Sequence, residues 1–282
     1  MYPFRIPISL FGLGLETGPY ELFLFLAILV AVLGGLWFAV KKNFPAGKVL
    51  LVLLAMCLAA FVGARLLNAL VNFPAYLAEP ARVWQAGAVG FSLYGGILAA
   101  LIVGYLVTRL QGIAPWRLAD TLVPFLGVSI AIMRIGCFLN GCCFGKETNL
   151  PWGVIFPFLS PAHIYQLSQG GNFLSVNPVH PTQLYEMGAA LLLSALALFL
   201  LRKKLPAGTV TLVFLSGFSL FRFFNYFLRV NPESFSMPEY FYPLLYFGIC
   251  VSGLLLVWKM TKEISAKSEI TEASPKAAAG LT

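Results

Sequence analysis

Apolar runs as long as a membrane crossing recur seven times in this chain, at roughly 21–40, 49–71, 89–108, 119–139, 186–201, 208–228 and 241–259. A spanning helix needs about 20 apolar residues, because the hydrocarbon core is about 30 Å thick. The fifth run is the shortest, and composition does not define its start. Of the 282 residues, 59% are hydrophobic and only 11% are charged. An average soluble domain carries about 25% charged residues. Charges are too few to cover a soluble surface, so lipid must cover much of it. The fold class predicted is an all-α membrane protein of about seven transmembrane helices. Three parts follow: an N-terminal arm over 1–20, a membrane domain over 21–262 with a long polar loop at 140–185, and a disordered tail over 263–282. The loop is rich in Gly, Pro, Asn and Ser. It is too long for a simple connection, which marks it as an ordered functional loop.

Orientation follows from the basic residues. Lys41, Lys42 and Lys48 follow the first run, Arg109 and Arg117 the third, Arg202, Lys203 and Lys204 the fifth, and Lys259, Lys262, Lys267 and Lys276 the seventh. Only Arg5, Arg82, Lys146 and Arg229 fall on the other side. The first side is therefore predicted to be cytoplasmic, with the N-terminus and the 140–185 loop outside and the C-terminus inside. The net charge of +8 sits at the ends of apolar runs. It reads as orientation and head-group contact, and no nucleic-acid partner is expected. No cleavable signal peptide is visible in the first twenty residues.

Arg65, Arg134 and Arg222 fall within or at the edges of spans. An arginine at mid-helix costs about 2.5–3.5 kcal/mol on insertion scales. Each therefore needs a partner, water or an anionic ligand. Arg222, Asn225, Tyr226 and Arg229 are spaced to share one helix face, and Arg65, Asn68 and Asn72 form a second stripe. Arg134 leads into Asn140-Gly141-Cys142-Cys143-Phe144-Gly145. A guanidinium fork suits phosphate oxygens, so a cavity for an anionic head group is one reading. Helix-end arginines snorkelling to the interface are the other, and for Arg65 and Arg229 the two stand level. Tyr94-Gly95-Gly96 opens the third helix and allows close approach of a ligand or a neighbouring helix. Pro181 suits the first turn of the fifth helix, which puts His180, Gln183 and Glu186 near one face. These residues fit proton handling or helix capping equally. Cys57 and Cys250 read as small core residues. Cys137, Cys142 and Cys143 lack Cys-x-x-Cys spacing, and the histidines are only His163 and His180. No metal and no cofactor are expected, and small packing residues are the default for the three cysteines.

The segments Gly63-Ala64-Arg65-Leu66, Tyr94-Gly95-Gly96, Met133 to Gly145, His180 to Glu186 and Arg222 to Arg229 resemble the bacterial prolipoprotein diacylglyceryl transferases in order and spacing, over roughly 18–260. The resemblance implies seven transmembrane helices with the N-terminus outside, in the bacterial cytoplasmic (inner) membrane. It also implies a reaction. A diacylglyceryl group passes from phosphatidylglycerol to the lipobox cysteine of a preprolipoprotein, glycerol phosphate leaves, and a thioether forms. The thiol must be deprotonated and the leaving phosphate neutralised. By the same resemblance Arg134 and Arg222 meet the phosphate. Asn140 and Gly145 belong to the signature loop, and Tyr20 matches a tyrosine before the first helix. Gly95, Gly96, Arg65, Arg229 and Tyr226 complete the substrate-binding set. Tyr94, His180 and Glu186 are the candidates for proton transfer.

The chain departs from the commonest pattern of that family. Tyr94 stands where His is frequent, Cys137 and Cys142 where Asn and Glu are frequent, Met133 where Gly is usual, and Tyr226 where Glu is frequent. A tyrosine with an ordinary pKa near 10 is a poor base. Beside the first stand a membrane redox protein using Cys137, Cys142 and Cys143, which predicts that changing all three to Ser kills function, and two further readings. One is a divergent relative that moves a lipid group to another acceptor. The other is a non-catalytic lipid-binding or transport protein, against which the lack of internal repeats counts.

Overall fold

The computed structural model describes residues 6–10, 13–78, 91–171, 175–230 and 238–279. Two short strands, β1 (Ile6–Leu10) and β2 (Leu13–Thr17), pair antiparallel. Apart from isolated β-bridges, the remaining regular structure among the described residues is helical. The helices are α1 (Pro19–Leu29), α2 (Gly35–Lys41), α3 (Ala46–Val71), α4 (Phe73–Ala78), α5 (Leu93–Leu110) and α6 (Pro115–Asn140). They continue with α7 (Pro161–Ser168), α8 (Thr182–Leu200), α9 (Thr209–Leu228) and α10 (Phe241–Ala279). A π-helical turn, Val30–Gly34, joins α1 to α2.

Among the described residues, seven stretches are long and apolar enough to cross a membrane: Pro19–Lys41, Ala46–Val71, Leu93–Leu110, Pro115–Asn140, Thr182–Leu200, Thr209–Leu228 and Phe241–Glu263. The seven runs read from sequence thus become seven helices, shifted by a few residues at their ends. The uncertain fifth span starts at Thr182, so the first two residues of the HPTQLYE segment precede the helix and the rest form its first turns. Pro181 caps α8 from outside, and His180 lies off the helix altogether. The last helix runs on to Ala279, over residues read from sequence as a disordered tail. Ala, Glu and Lys recur in that stretch, and these are strong helix formers. The N-terminal arm contains the β1–β2 hairpin.

The chain divides into two compact units, one of residues 1–31 with 122–282 and one of residues 32–121. In the second unit α3 packs along α5 on small residues. A side chain at Gly63 would collide with Ala99 and with the Gly95 carbonyl oxygen at 2.6 Å, and one at Gly95 with Leu67. At Gly96 it would meet the Ala60 carbonyl oxygen at 3.0 Å. In lipid there is no hydrophobic gain from burying leucine, so close backbone approach and dispersion hold such pairs together. The Gly95-Gly96 pair therefore serves helix packing here. Ser92 N–H donates to the Ala64 carbonyl at 2.9 Å, fixing the start of α5 on α3. The Asn68–Asn72 stripe binds α4, through Tyr76 Oη to Asn68 Oδ1 at 2.9 Å. Cys57 is exposed on α3, not a core residue, whereas Cys250 on α10 is buried as expected.

In the other unit α9 packs between α8 and α10. Its core holds Val123, Ala197, Val210 and Phe214. Gly127 lets α6 approach α8, since a side chain there would meet Phe214 at 2.8 Å and the Ala190 carbonyl at 2.9 Å. The described residues of the 140–185 loop gather around their own cluster, Phe144, Phe156, Ala162 and Val179. Main-chain bonds tie it to two helix ends. Gly145 N–H donates to His180 O at 2.9 Å, Lys146 N–H to Leu228 O at 2.7 Å, and Val230 N–H to Phe144 O at 3.1 Å.

Candidate active site

Four helices of one unit each deliver one polar side chain to the same place. Glu186 of α8 sits at its centre, 2% exposed. Arg134 of α6 donates through Nη2 to Glu186 Oε1 at 2.7 Å. Arg222 of α9 donates through Nη1 to both carboxylate oxygens at 3.0 Å. Its Nη2 donates to Tyr246 Oη of α10 at 2.7 Å. Buried carboxylates occur almost only when paired, and this one has two partners. Two guanidinium groups against one carboxylate leave one excess positive charge among apolar helices. Such a charge is expensive in a bilayer unless an anion meets it. Donors remain to do so, since a guanidinium has five N–H groups. Arg134 Nε is buried with no partner among the described residues.

The residues around this centre fix the start of the polar loop. Thr182 Oγ1 donates to the Cys143 carbonyl and Gln183 Nε2 to the Cys142 carbonyl, both at 2.7 Å. Asn140 is the last residue of α6. Gly145 is glycine for a steric reason, because a side chain there would meet His180 Cβ at 2.5 Å and the carbonyls of His180 and Leu228 at 2.8 Å. Asn225 is 3% exposed, and its side-chain nitrogen and oxygen find no partner among the described residues.

The shared face expected for Arg222 to Arg229 is interrupted. The helix ends at Leu228, and Arg229 is extended (φ −89°, ψ 147°). There it bridges Gly145 in an isolated antiparallel pair. A helical register stops predicting directions once the helix has ended. Tyr226 turns outward to the Glu239 carbonyl at 2.9 Å. His180 is half-buried, with Nδ1 3.3 Å from Tyr185 Oη, which also accepts from Trp152 Nε1 at 2.8 Å. Neither contact leads to Glu186. Tyr20, at the start of α1, lies within electrostatic reach of Arg134 and of Cys137, Cys142 and Cys143. Tyr94, Gly95, Gly96 and Arg65 belong to the other unit. Within it Arg65 stacks over Phe91, 5.0 Å from the ring centroid.

Three sulfurs gather beside Arg134. The Sγ atoms of Cys137, Cys142 and Cys143 all lie within 4.8 Å of one another. Arg134 Nη1 is 3.7 Å from Cys137 Sγ, and Cys142 Sγ is 3.7 Å from the Cys137 carbonyl. Gly141 (φ 70°) and Cys143 (φ 62°) are left-handed and turn the chain back on the end of α6. The three, read from sequence as small packing residues by default, thus share one point in space. Hydrogen bonds from Cys137 and Cys142, backed by the Arg229 and Arg134 charges, hold the Cys143 thiol below its ordinary range against the opposing effect of burial. Sequence reasoning also missed Tyr246 as a partner of Arg222. The available signal was a tyrosine hydroxyl inside an otherwise apolar run.

The profile of the family "Prolipoprotein diacylglyceryl transferase" matches residues 8–271. Relatives named phosphatidylglycerol–prolipoprotein diacylglyceryl transferase are similar to the chain. That of Bordetella avium is 33% identical over 180 residues, 63% of this chain and 62% of the relative. The chain thus spans less than two thirds of that protein's length. That of Methylococcus capsulatus is 33% identical over 201 residues, 71% of this chain and 68% of the relative. That of Pseudomonas fluorescens is 26% identical over 275 residues, 91% and 94% of the two chains. Seven apolar helices, an ordered loop and paired arginines around a buried carboxylate thus stand in a chain that belongs to the prolipoprotein diacylglyceryl transferase family.

Proposed function

We propose that this protein transfers the diacylglyceryl group of phosphatidylglycerol to the thiol of a lipobox cysteine in a preprolipoprotein signal peptide. It does so as a multi-pass enzyme of the bacterial inner membrane. The observation that carries this reading is the excess positive charge of Arg134 and Arg222 around Glu186. The attacking sulfur forms a bond to the glyceryl carbon, the C–O bond to phosphorus breaks, and glycerol phosphate leaves with the electron pair. Charge therefore develops on phosphate oxygens, and fixed guanidinium donors there lower the barrier. In this scheme Glu186 positions the two arginines. Its oxygens already accept three guanidinium bonds, which favours Tyr94 or His180 over Glu186 as the group that takes the thiol proton. Asn140 and Gly145 shape the loop beside the phosphate, with Tyr20 and Arg229 flanking it. Gly95, Gly96 and Arg65 support Tyr94, and Tyr226 lies at the rim. The N-terminus and the 140–185 loop face outside and the C-terminus the cytoplasm, a reading supported by the Lys and Arg count.

The test is transfer from labelled phosphatidylglycerol to a lipobox peptide by the purified full chain in lipid nanodiscs. Arg134→Gln should lower the rate by at least about a hundredfold, the scale of losing one fixed donor to a developing anion, while the melting profile stays cooperative. Undiminished transfer in that variant overturns the site.

A further inference from the structure

Cys137, Cys142 and Cys143 bring three soft donors to one point, half-open toward their surroundings, since Cys142 and Cys143 are only partly buried. Zinc–sulfur bonds of about 2.3 Å put the sulfurs of a tetrahedral site roughly 3.8 Å apart. The present 4.8 Å limit is therefore closed by small side-chain rotations. Three thiolates with a divalent ion carry one net negative charge. Arg134 Nη1 stands 3.7 Å from Cys137 Sγ, so a cation is already in place where that charge would form. The carbonyls of Cys142 and Cys143 are pinned by Gln183 and Thr182, so the backbone carrying two of the donors is fixed. Pinned donors of this kind precede metal binding with little ordering cost.

We propose that these three cysteines form a binding site for a thiophilic divalent cation of the zinc type, with the fourth tetrahedral position open. Three protein ligands with one open position are the arrangement of a catalytic, not a structural, zinc. A second step rests on the transferase reading given above. The fourth position takes the acceptor thiol, whose S–H proton passes to water as the metal thiolate forms. That sulfur then bonds to the glyceryl carbon, and the C–O bond breaks toward phosphate. The thioether product is a weaker donor than a thiolate and leaves the ion. Thiol activation in this scheme does not depend on a side-chain base, in a chain where Tyr94 stands at the start of α5.

Full-length protein, purified under reducing conditions in nanodiscs, is titrated with Co²⁺ alone and with Zn²⁺ as competitor. The expected result is about one equivalent of Co²⁺ with sulfur-to-metal charge-transfer absorption, displaced by Zn²⁺. C137S, C142S and C143S should each weaken binding by at least about tenfold, the range seen when a site is disturbed, whereas C57S and C250S should not. Adding a lipobox peptide with its thiol should raise the charge-transfer band by about one third, as three Co–S bonds become four. A serine-substituted peptide should leave it unchanged. No sulfur-bound cobalt in the wild-type protein overturns the site. So does a disulfide among the three that persists under reduction, or binding that survives C137S/C142S/C143S. Cobalt bound by three sulfurs with no response to the peptide overturns only the second step, separately from any failure of the transfer assay.

Discussion

The two units of this membrane protein are held by opposite means. In residues 32–121 the α3–α5 pair relies on absence, with glycines letting backbones touch. In the unit of residues 1–31 and 122–282 four helices meet through charge, with Arg134, Glu186, Arg222 and Tyr246 joined in one network. Small-residue packing tolerates no added volume but is indifferent to charge. The ionic centre tolerates little change in charge but has a polar surface that a ligand can share. The difference teaches where chemistry can be placed in a bilayer. Polar groups are costly there and are kept where several of them satisfy one another.

The comparison breaks most visibly at Glu186. Removing its charge leaves the buried Arg134 and the partly buried Arg222 guanidinium groups without their shared carboxylate. Glu186→Gln should cost about 3–5 kcal/mol, as for a buried pair broken on one side, and abolish transfer. Thermal unfolding in detergent with the nanodisc assay checks both. Gly95→Leu comes next. Overpacking costs about 1–3 kcal/mol in well-packed cores, and here the collision is partly with the Gly63 carbonyl. The melting temperature should fall with it, whereas a charge-neutral ionic-site variant would lose activity first. Tyr246→Phe removes one hydrogen bond to Arg222 and should cost about 1–2 kcal/mol. Its rate should fall in kcat more than in KM if Arg222 acts on the leaving phosphate. Leu110→Ala, at a residue 82% exposed on α5, should stay within about 0.5 kcal/mol. A large effect there would mean that the outer face of α5 carries packing contacts as well as its glycine face.

The seven spans were legible because each is a continuous apolar run of the right length, a signal that needs no knowledge of partners. Arg134 and Arg222 were legible as expensive residues that need an explanation. Their shared partner was not, because Glu186 lies 52 and 36 positions away along the chain and reads locally as one member of a helix-cap cluster. Arg229 was misplaced for a simple reason, since helical spacing was carried one residue past the last helical turn. The gathering of the three thiols was invisible to spacing rules. Cys137 stands on the helix and Cys142 and Cys143 beyond a left-handed turn, so no period connects them.

The main-chain bonds between the polar loop and the helix ends have a further consequence. Gly145 is bound to His180, Lys146 to Leu228, and Phe144 to Val230. The ends of α6, α8 and α9 are thereby laced by the backbone itself, with no side chain required. A two-tailed lipid cannot part those ends without breaking these N–H···O=C hydrogen bonds together. The laced end is thereby a fixed rim, set by the backbone and indifferent to the identity of the side chains it carries.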